Sequence, residues 1–321
     1  MGVGLLQQVR GTCKEVVKRA RYVHIDTDRI QAYAASLPVE YARSPKLDPQ
    51  YHYSGYQDDV VAYILTLDAV NFGSGYFPYI RKRVGLSGYF TIALALKERF
   101  ETKGPFTAHE LTCLSAQDCA GLFGQDLDDG PRRELMGLFA SALNDLGRYL
   151  LDRFAGQFVK LVKAAGSTAE SLVGILAEMP HFQDIALYDG FDVLFYKRAQ
   201  ITVADLSMAF EGEGPGLFHD LGDLTIFADN AVPHVLRVDG IIHYEDSLAS
   251  RIDTGELIPA GSAEEVEIRA AAVHAAELIV EKLGSMGQDL MSMNLDYLLW
   301  NRAQQPQYKM RPPHRTRTVF Y

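Results

Sequence analysis

The stretch PRRELMGLFASALNDLGRYLLDRFAGQFVKL, residues 131–161, sets the fold class. Its apolar residues Leu135, Phe139, Leu143, Leu146, Leu150, Phe154, Phe158 and Leu161 recur in steps of three and four, so they line one face of an α-helix. Pro131 suits the opening turn, and Gly166 provides the stop. Three other places match a capping box: Thr107 with Glu110, Ser167 with Glu170 and Ser262 with Glu265. The last opens a helix through Val266, Val273, Ala276, Val280 and Leu283, ended by Gly284. Helical patterns also predict helices at roughly 4–22, 27–37, 57–70, 88–101, 168–178, 197–210, 230–238, 245–253 and 294–303. Strand patterns are rare. In DIALYDGFDVLFYKRAQ apolar residues alternate around Tyr188-Asp189-Gly190, which leaves room for a short β-hairpin near 184–196. The expected fold is therefore mainly α. A single compact helical unit over 1–321 is expected, divisible into two lobes of about 1–125 and 126–321 around a central cleft. Gly, Pro and Asp accumulate near that division, at 104–130.

Composition narrows the function. The 321 residues are 48% hydrophobic, enough for a packed core. A net charge of −10 opposes a long nucleic-acid footprint, which needs a basic excess to neutralise phosphates, yet it allows a small anionic ligand in a local basic pocket. The cysteines, Cys13, Cys113 and Cys119, are odd in number and form no C-x-x-C pair, so free, buried thiols in a reducing compartment are expected. The N-terminus reads as an amphipathic helix rather than a signal peptide. MGVGLLQQ does not carry the Ser or Thr of a myristoylation signal, and no run is long enough to span a bilayer. A cytoplasmic protein without a membrane partner is expected.

Four segments carry candidate chemistry. In LTIFADNAVPHVLR, residues 224–237, an apolar run ends at Phe227 and Asp229 follows at a helix start. An Asp there can be an ordinary N-cap, or a carboxylate held ionised to meet a developing cation or attack an electrophilic carbon. In NLDYLLWNR, residues 294–302, Asp296 and Trp300 share one helix face. That pair suits a flat heterocycle with N–H donors, or is a core Trp beside a solvated Asp. Lys197 and Arg198 in FYKRAQITVADL oppose the helix dipole unless an anion docks at the same turn. DAVNFGSGYFP, residues 68–78, offers Asn71 and Phe72 before two glycines, but neither the phosphate-loop nor the dinucleotide pattern is complete. The basic tail YKMRPPHRTRTVFY either folds back over a site or stays a tail. The nine histidines show no metal-ligand spacing, and neither a metal nor a cofactor is expected.

Together NFGSGYFP, FYKRAQITVADL, LTIFADNAVPHVLR, VEIRAAAVHAAELI, DYLLW and PPHRTRTVFY resemble the queuosine salvage protein family, in order and from about residue 50 to the C-terminus. Asn230 and Ala231 depart from that family's pattern. The resemblance implies a helical fold related to DNA glycosylases and hydrolysis of queuosine 5′-monophosphate to queuine and ribose 5-phosphate. Queuine is a 7-deazaguanine and lacks the N7 that guanine offers a proton, so more of the barrier must be lowered at the sugar. The resemblance then implies Asp229 as the catalytic carboxylate. It places Asp296, Phe227, Phe72, Tyr297, Trp300, His52 and Asn71 at the base, and Lys197 and Arg198 at the phosphate. No stable nucleic-acid partner is implied. Two other readings stay open: a non-catalytic queuine or nucleotide carrier, and a glycosylase acting on polymeric nucleic acid.

Overall fold

The structure, a computed structural model, describes residues 3–321. Gly2, where an acyl signal would be read, lies outside the described residues. Fourteen α-helices are present among the described residues. The first six are α1 (Leu5–Arg19), α2 (Ile30–Ser36), α3 (Gln57–Ala69), α4 (Gly88–Lys103), α5 (Ala108–Thr112) and α6 (Ala116–Leu122). The long helix α7 (Gly130–Phe154) is followed by α8 (Phe158–Ala164), α9 (Ala169–Leu176) and α10 (Lys197–Ala209). The chain ends with α11 (Ala231–Val238), α12 (Asp246–Asp253), α13 (Ala263–Ser285) and α14 (Ser292–Ala303). Strands are confined to two small antiparallel pairs, β1 (Val23–Ile25) with β4 (Ile242–Tyr244), and β2 (Ile185–Tyr188) with β3 (Phe191–Leu194). The protein is mainly α.

The β2–β3 pair is the hairpin that the alternation predicts. Tyr188 faces Phe191 across a two-residue turn in which Asp189 and Gly190 both take positive φ, the geometry that an Asp-Gly pair supplies. The β1–β4 pair was not legible, because it joins two three-residue strands more than 200 positions apart.

The opening stretch is corrected in one respect: it is two helices. Ala155 (φ 53°) and Gly156 (φ 74°) turn left-handed, and the Gly156 amide closes on the Leu150 carbonyl. The apolar face continues into α8 across that break. Capping also differs. Thr107–Glu110 forms the full box. Ser262 accepts from the Glu265 amide, but the Glu265 side chain turns to the Gly261 amide instead. Ser167 does not cap α9. Asp220, from a distant loop, takes the amides of Ala169 and Glu170, and Glu170 is left to accept from Leu5. A box at Ser115–Asp118 opens α6, a helix the sequence reading did not place. Of the thiols, Cys13 and Cys119 are buried, whereas Cys113 is exposed.

Two helices make the centre. Helix α3 is buried all round from Val60 to Ala69, as an apolar sequence without a polar face requires. It packs on α10, α7 and α8. Helix α13 is buried along most of its length and packs on α1, α2, α11 and α14. The buried polar side chains of these two helices and of α10 are therefore the exceptions to explain. The tail folds back: Arg315 accepts from the Ile258 amide, Tyr321 accepts from the Gly73 amide, and His314, Thr316 and Tyr321 are buried.

Candidate active site

Residues 224–228 are buried yet belong to no helix or strand, so their backbone groups need side-chain partners. Three elements provide them. Gln200 of α10 accepts from the Thr225 amide at 2.8 Å. Asp296 of α14 accepts from the Phe227 amide at 2.8 Å through Oδ1. Arg269 of α13 donates Nε–H to the Ala228 carbonyl at 2.9 Å. The segment is thus pinned at every second or third residue, and it delivers Asp229 to the start of α11. Asp229 Oδ1 accepts from the amides of Ala231 and Val232, at 2.7 and 3.3 Å, while Oδ2 is left without a donor. The capping expected of Asp229 is present, one residue upstream of the formal N-cap, Asn230.

Four carboxyl groups lie within electrostatic reach of one ammonium. Lys197, only 4% exposed at the start of α10, sits in the fields of Asp229, Asp68 and Asp296, and its charge in turn acts on Asp205. Its Nζ donates to the Asn71 carbonyl at 3.3 Å. Burial pulls the lysine below its usual range, opposed by those carboxylates. Burial raises the Asp229 carboxyl, and Lys197 with the two amides holds it back. Asp296 is pushed well above the carboxylate range, by burial first and then by the Asp229 charge. Asp68, at the end of α3, is raised to about 6, mainly by burial, against the Asn71 amide that it accepts from. Among the described residues no three such side chains converge as metal ligands. Two surface hollows of about 230 and 460 Å³, against α13, include none of these residues.

Aromatic rings border the cluster. Phe227 is buried beside Asp229, and Tyr297 and Trp300 are half-buried on α14. Trp300 meets Tyr89 and Phe90 of α4 edge-on, with centroids 5.8 and 5.7 Å away. His52 is held from both sides. Burial lowers its pKa and keeps the ring neutral. The single N–H then goes from Nδ1 to the Asp48 carbonyl, and Nε2 accepts from the Tyr89 hydroxyl, each at 2.9 Å. The ring can offer a face but no free nitrogen.

Three of the expected site residues have other commitments. Arg198 is bonded to backbone carbonyls. Its Nη1 donates to the carbonyls of Asp68 and Ala69 at the C-terminal end of α3, and its Nη2 donates to the His181 carbonyl. Its guanidinium lies over both Phe72 and Phe182, 4.7 Å from each ring centroid. Phe72, occupied by Arg198 and by Phe139 edge-on, is a core ring and not a free stacking face. Lys197 lies in the fields of Asp229, Asp68 and Asp296, which disfavour a phosphate beside it. Arg198→Met should lower the melting temperature and weaken phosphorylated and unphosphorylated nucleosides equally. A loss confined to the phosphorylated one in binding titrations would restore the phosphate role.

Sequence reading missed Asp68, Asp205 and Arg269. The first two are lone carboxylates in LTLDAV and TVADLS, where every near neighbour is uncharged, and that isolation is the signal that could have found them. Arg269 pairs with Asp184 at 2.6 and 3.0 Å, 85 residues away, a partnership with no local signature.

Two carboxylates hold or follow one buried segment, Asp296 at the Phe227 amide and Asp229 at a helix start, beside aromatic rings, an arrangement suited to cleaving a bond at a carbon that becomes cationic. Residues 51–321 match the sequence profile of the queuosine salvage protein, and the chain belongs to that family. It is 39% identical over 315 residues to a queuosine 5′-phosphate N-glycosylase/hydrolase of Sphaerobacter thermophilus, covering 97% of this chain and 96% of that protein. The Dictyostelium discoideum protein of the same name is 34% identical over 263 residues, 81% of this chain and 77% of that one. The Mus musculus protein of the same name is 29% identical over 344 residues, covering 97% and 98%.

Proposed function

We propose that this chain hydrolyses the N-glycosidic bond of queuosine 5′-monophosphate, giving queuine and ribose 5-phosphate for reuse in tRNA modification. The observation that carries the reading is Asp229 at the start of α11, its Oδ1 on the amides of Ala231 and Val232, with Asp296 pinning the same segment through the Phe227 amide. Family membership and the names of its relatives support the substrate. Asp229, ionised and held by two amides, offers its free Oδ2 to the sugar carbon as nucleophile or counter-charge. Asp296 uses Oδ1 on the Phe227 amide, which leaves Oδ2 for the base. As a neutral carboxyl it donates to a ring acceptor that gains charge as the bond breaks. This revises its expected role, which was to accept from the base edge. Water supplies a hydroxyl to the sugar carbon, and its other proton restores the carboxylate pair after Asp296 has given one to the departing base. Phe227, Tyr297, Trp300 and the His52 face enclose the base, and Asn71 orients Lys197 and Asp68.

Three free cysteines fit a reducing compartment, and we place the reaction in the cytoplasm. No helix among the described residues is long and apolar enough to cross a membrane. The charge of −10 supports a mononucleotide over a polymer as substrate. Queuine release from queuosine 5′-monophosphate, followed across pH, tests the reading. The rate should fall as pH drops through the Asp229 ionisation and again as pH rises through that of Asp296. Lys197→Met removes the cation that favours ionised Asp229, so its acidic limb should move to higher pH. No release at any pH, the outcome for a carrier, contradicts the proposal. A flat profile refutes the assignment of the two carboxyls.

A further inference from the structure

The tail is basic in sequence, yet much of it is interior. His314, Thr316 and Thr318 are enclosed, whereas Arg315 and Arg317 between them are half-buried, over the rings of Tyr76 and Tyr79. That alternation is the period of an extended segment with one face turned inward. The segment leads to Tyr321, only 2% exposed. The Tyr321 ring centroid lies 4.7 Å from the Arg269 guanidinium, and its hydroxyl lies 3.2 Å from His314 Nε2. Its carbonyl accepts from the Gly73 amide at 3.0 Å. Nearby, the Thr316 carbonyl passes so close to Gly75 that a Cβ there would run into it, although the Gly75 backbone is not left-handed. Contact with the tail, not the turn itself, is what requires glycine at that position.

Both partners of Tyr321 lead to the candidate active site. Arg269 donates Nε–H to the Ala228 carbonyl, directly before Asp229, and it pairs with Asp184, which accepts from the Lys197 backbone amide. Gly73 stands two residues after Asn71, whose carbonyl accepts from Lys197 Nζ and whose side-chain amide donates to Asp68. One residue thus touches the supports of both Asp229 and Lys197, which come from separate parts of the chain. A guanidinium gains from an aromatic face in a dry interior, and an aliphatic side chain of similar bulk does not supply that attraction. We propose that Tyr321 is a positioning residue for the reaction: its ring on Arg269 and its carbonyl on Gly73 hold the Asp229 and Asn71 segments in place relative to each other. The inference rests on the proposed function. Tyr321 acts through Arg269 and Gly73 and not on the substrate.

The test is steady-state kinetics of queuine release from queuosine 5′-monophosphate, with melting temperatures measured alongside. Tyr321→Leu keeps the bulk and the carbonyl but removes the aromatic face. Its kcat should fall about tenfold or more, the effect of slightly misplacing a catalytic group, with KM within about twofold of the parent. Tyr321→Phe restores the face without the hydroxyl. It should recover most of the lost kcat even though it gives up the His314 contact and melts lower. A merely structural role predicts instead that turnover follows melting temperature in both variants. Gly75→Ala leaves Tyr321 and Arg269 unaltered but pushes on the Thr316 carbonyl, and it should lower kcat in the same way. Parental kcat in Tyr321→Leu, or equal losses in the Leu and Phe variants, overturns the proposal. If Tyr321→Leu does not fold, Gly75→Ala decides: a lower kcat at unchanged KM supports the proposal, and the parental kcat overturns it. No queuine release by the parent defeats the proposed function and the role of Tyr321 with it. Release by the parent together with equal losses in the Leu and Phe variants defeats only the role of Tyr321.

Discussion

Asp229→Asn should lose about a thousandfold or more in turnover while it folds and binds substrate nearly as the parent does. Asparagine retains an Oδ1, so the amides of Ala231 and Val232 keep their acceptor, and stability should change by less than about 1 kcal/mol. What disappears is the charge. The sugar loses the carboxylate that faces its developing cation, and Lys197 loses the largest of its favourable neighbours. Asp296 is relieved of the Asp229 field, so its acidity moves back toward the ordinary range and its proton is held less firmly. Both changes reduce the rate of bond breaking, and neither removes a contact from bound queuine. The loss should therefore appear in kcat, with substrate affinity by titration within a few fold. Turnover at the parental rate refutes the assignment. A low rate accompanied by a collapsed melting temperature reduces Asp229 to a capping residue.

Arg269→Met should be the most destabilising single change considered. The guanidinium is 2% exposed and lies between the rings of Phe195 and Tyr321, at 3.9 and 4.7 Å. It binds Asp184 through both terminal nitrogens, lies 3.6 Å from Glu265 and holds the Ala228 carbonyl. Methionine fills part of the volume but strands Asp184, Glu265 and that carbonyl in the interior. Breaking a buried pair from one side costs about 3–5 kcal/mol. The urea midpoint followed by circular dichroism should fall accordingly. The fully paired double replacement, Arg269→Met with Asp184→Leu, should recover part of the loss, because no charge is then stranded. The Asp184 carboxylate also accepts from the Lys197 backbone amide, so recovery stays incomplete. A single variant with the parental midpoint contradicts this account of the interior.

Local patterns predicted the elements that depend on local physics. Helical periodicity marked α3, α4, α10, α13 and α14 to within a few residues, and Asp-Gly marked the hairpin. Asp229 was visible because an apolar run stops beside it at a helix start. Where partners come from far along the chain, the reading failed. Asp220 displaced Ser167 as the cap of α9, and Arg198 spans 130 residues to close the end of α3. A cation at the start of α10 suggested an anion site. Its side chain instead crosses to the carbonyl end of the neighbouring helix, where the dipole favours it. Likewise Asp296 was identified on the face of Trp300, but its burial and its hold on the Phe227 amide, 69 residues away, were not visible locally.

The central claim is that this chain breaks the bond between queuine and ribose 5-phosphate by means of Asp229. Mass spectrometry of queuosine 5′-monophosphate incubated with the parent protein, and in parallel with Asp229→Asn, tests it most directly. Free queuine and ribose 5-phosphate should form one to one with the parent and be nearly absent with the variant. Intact nucleotide after incubation with the parent, or queuine released by the variant at the parental rate, would contradict the claim.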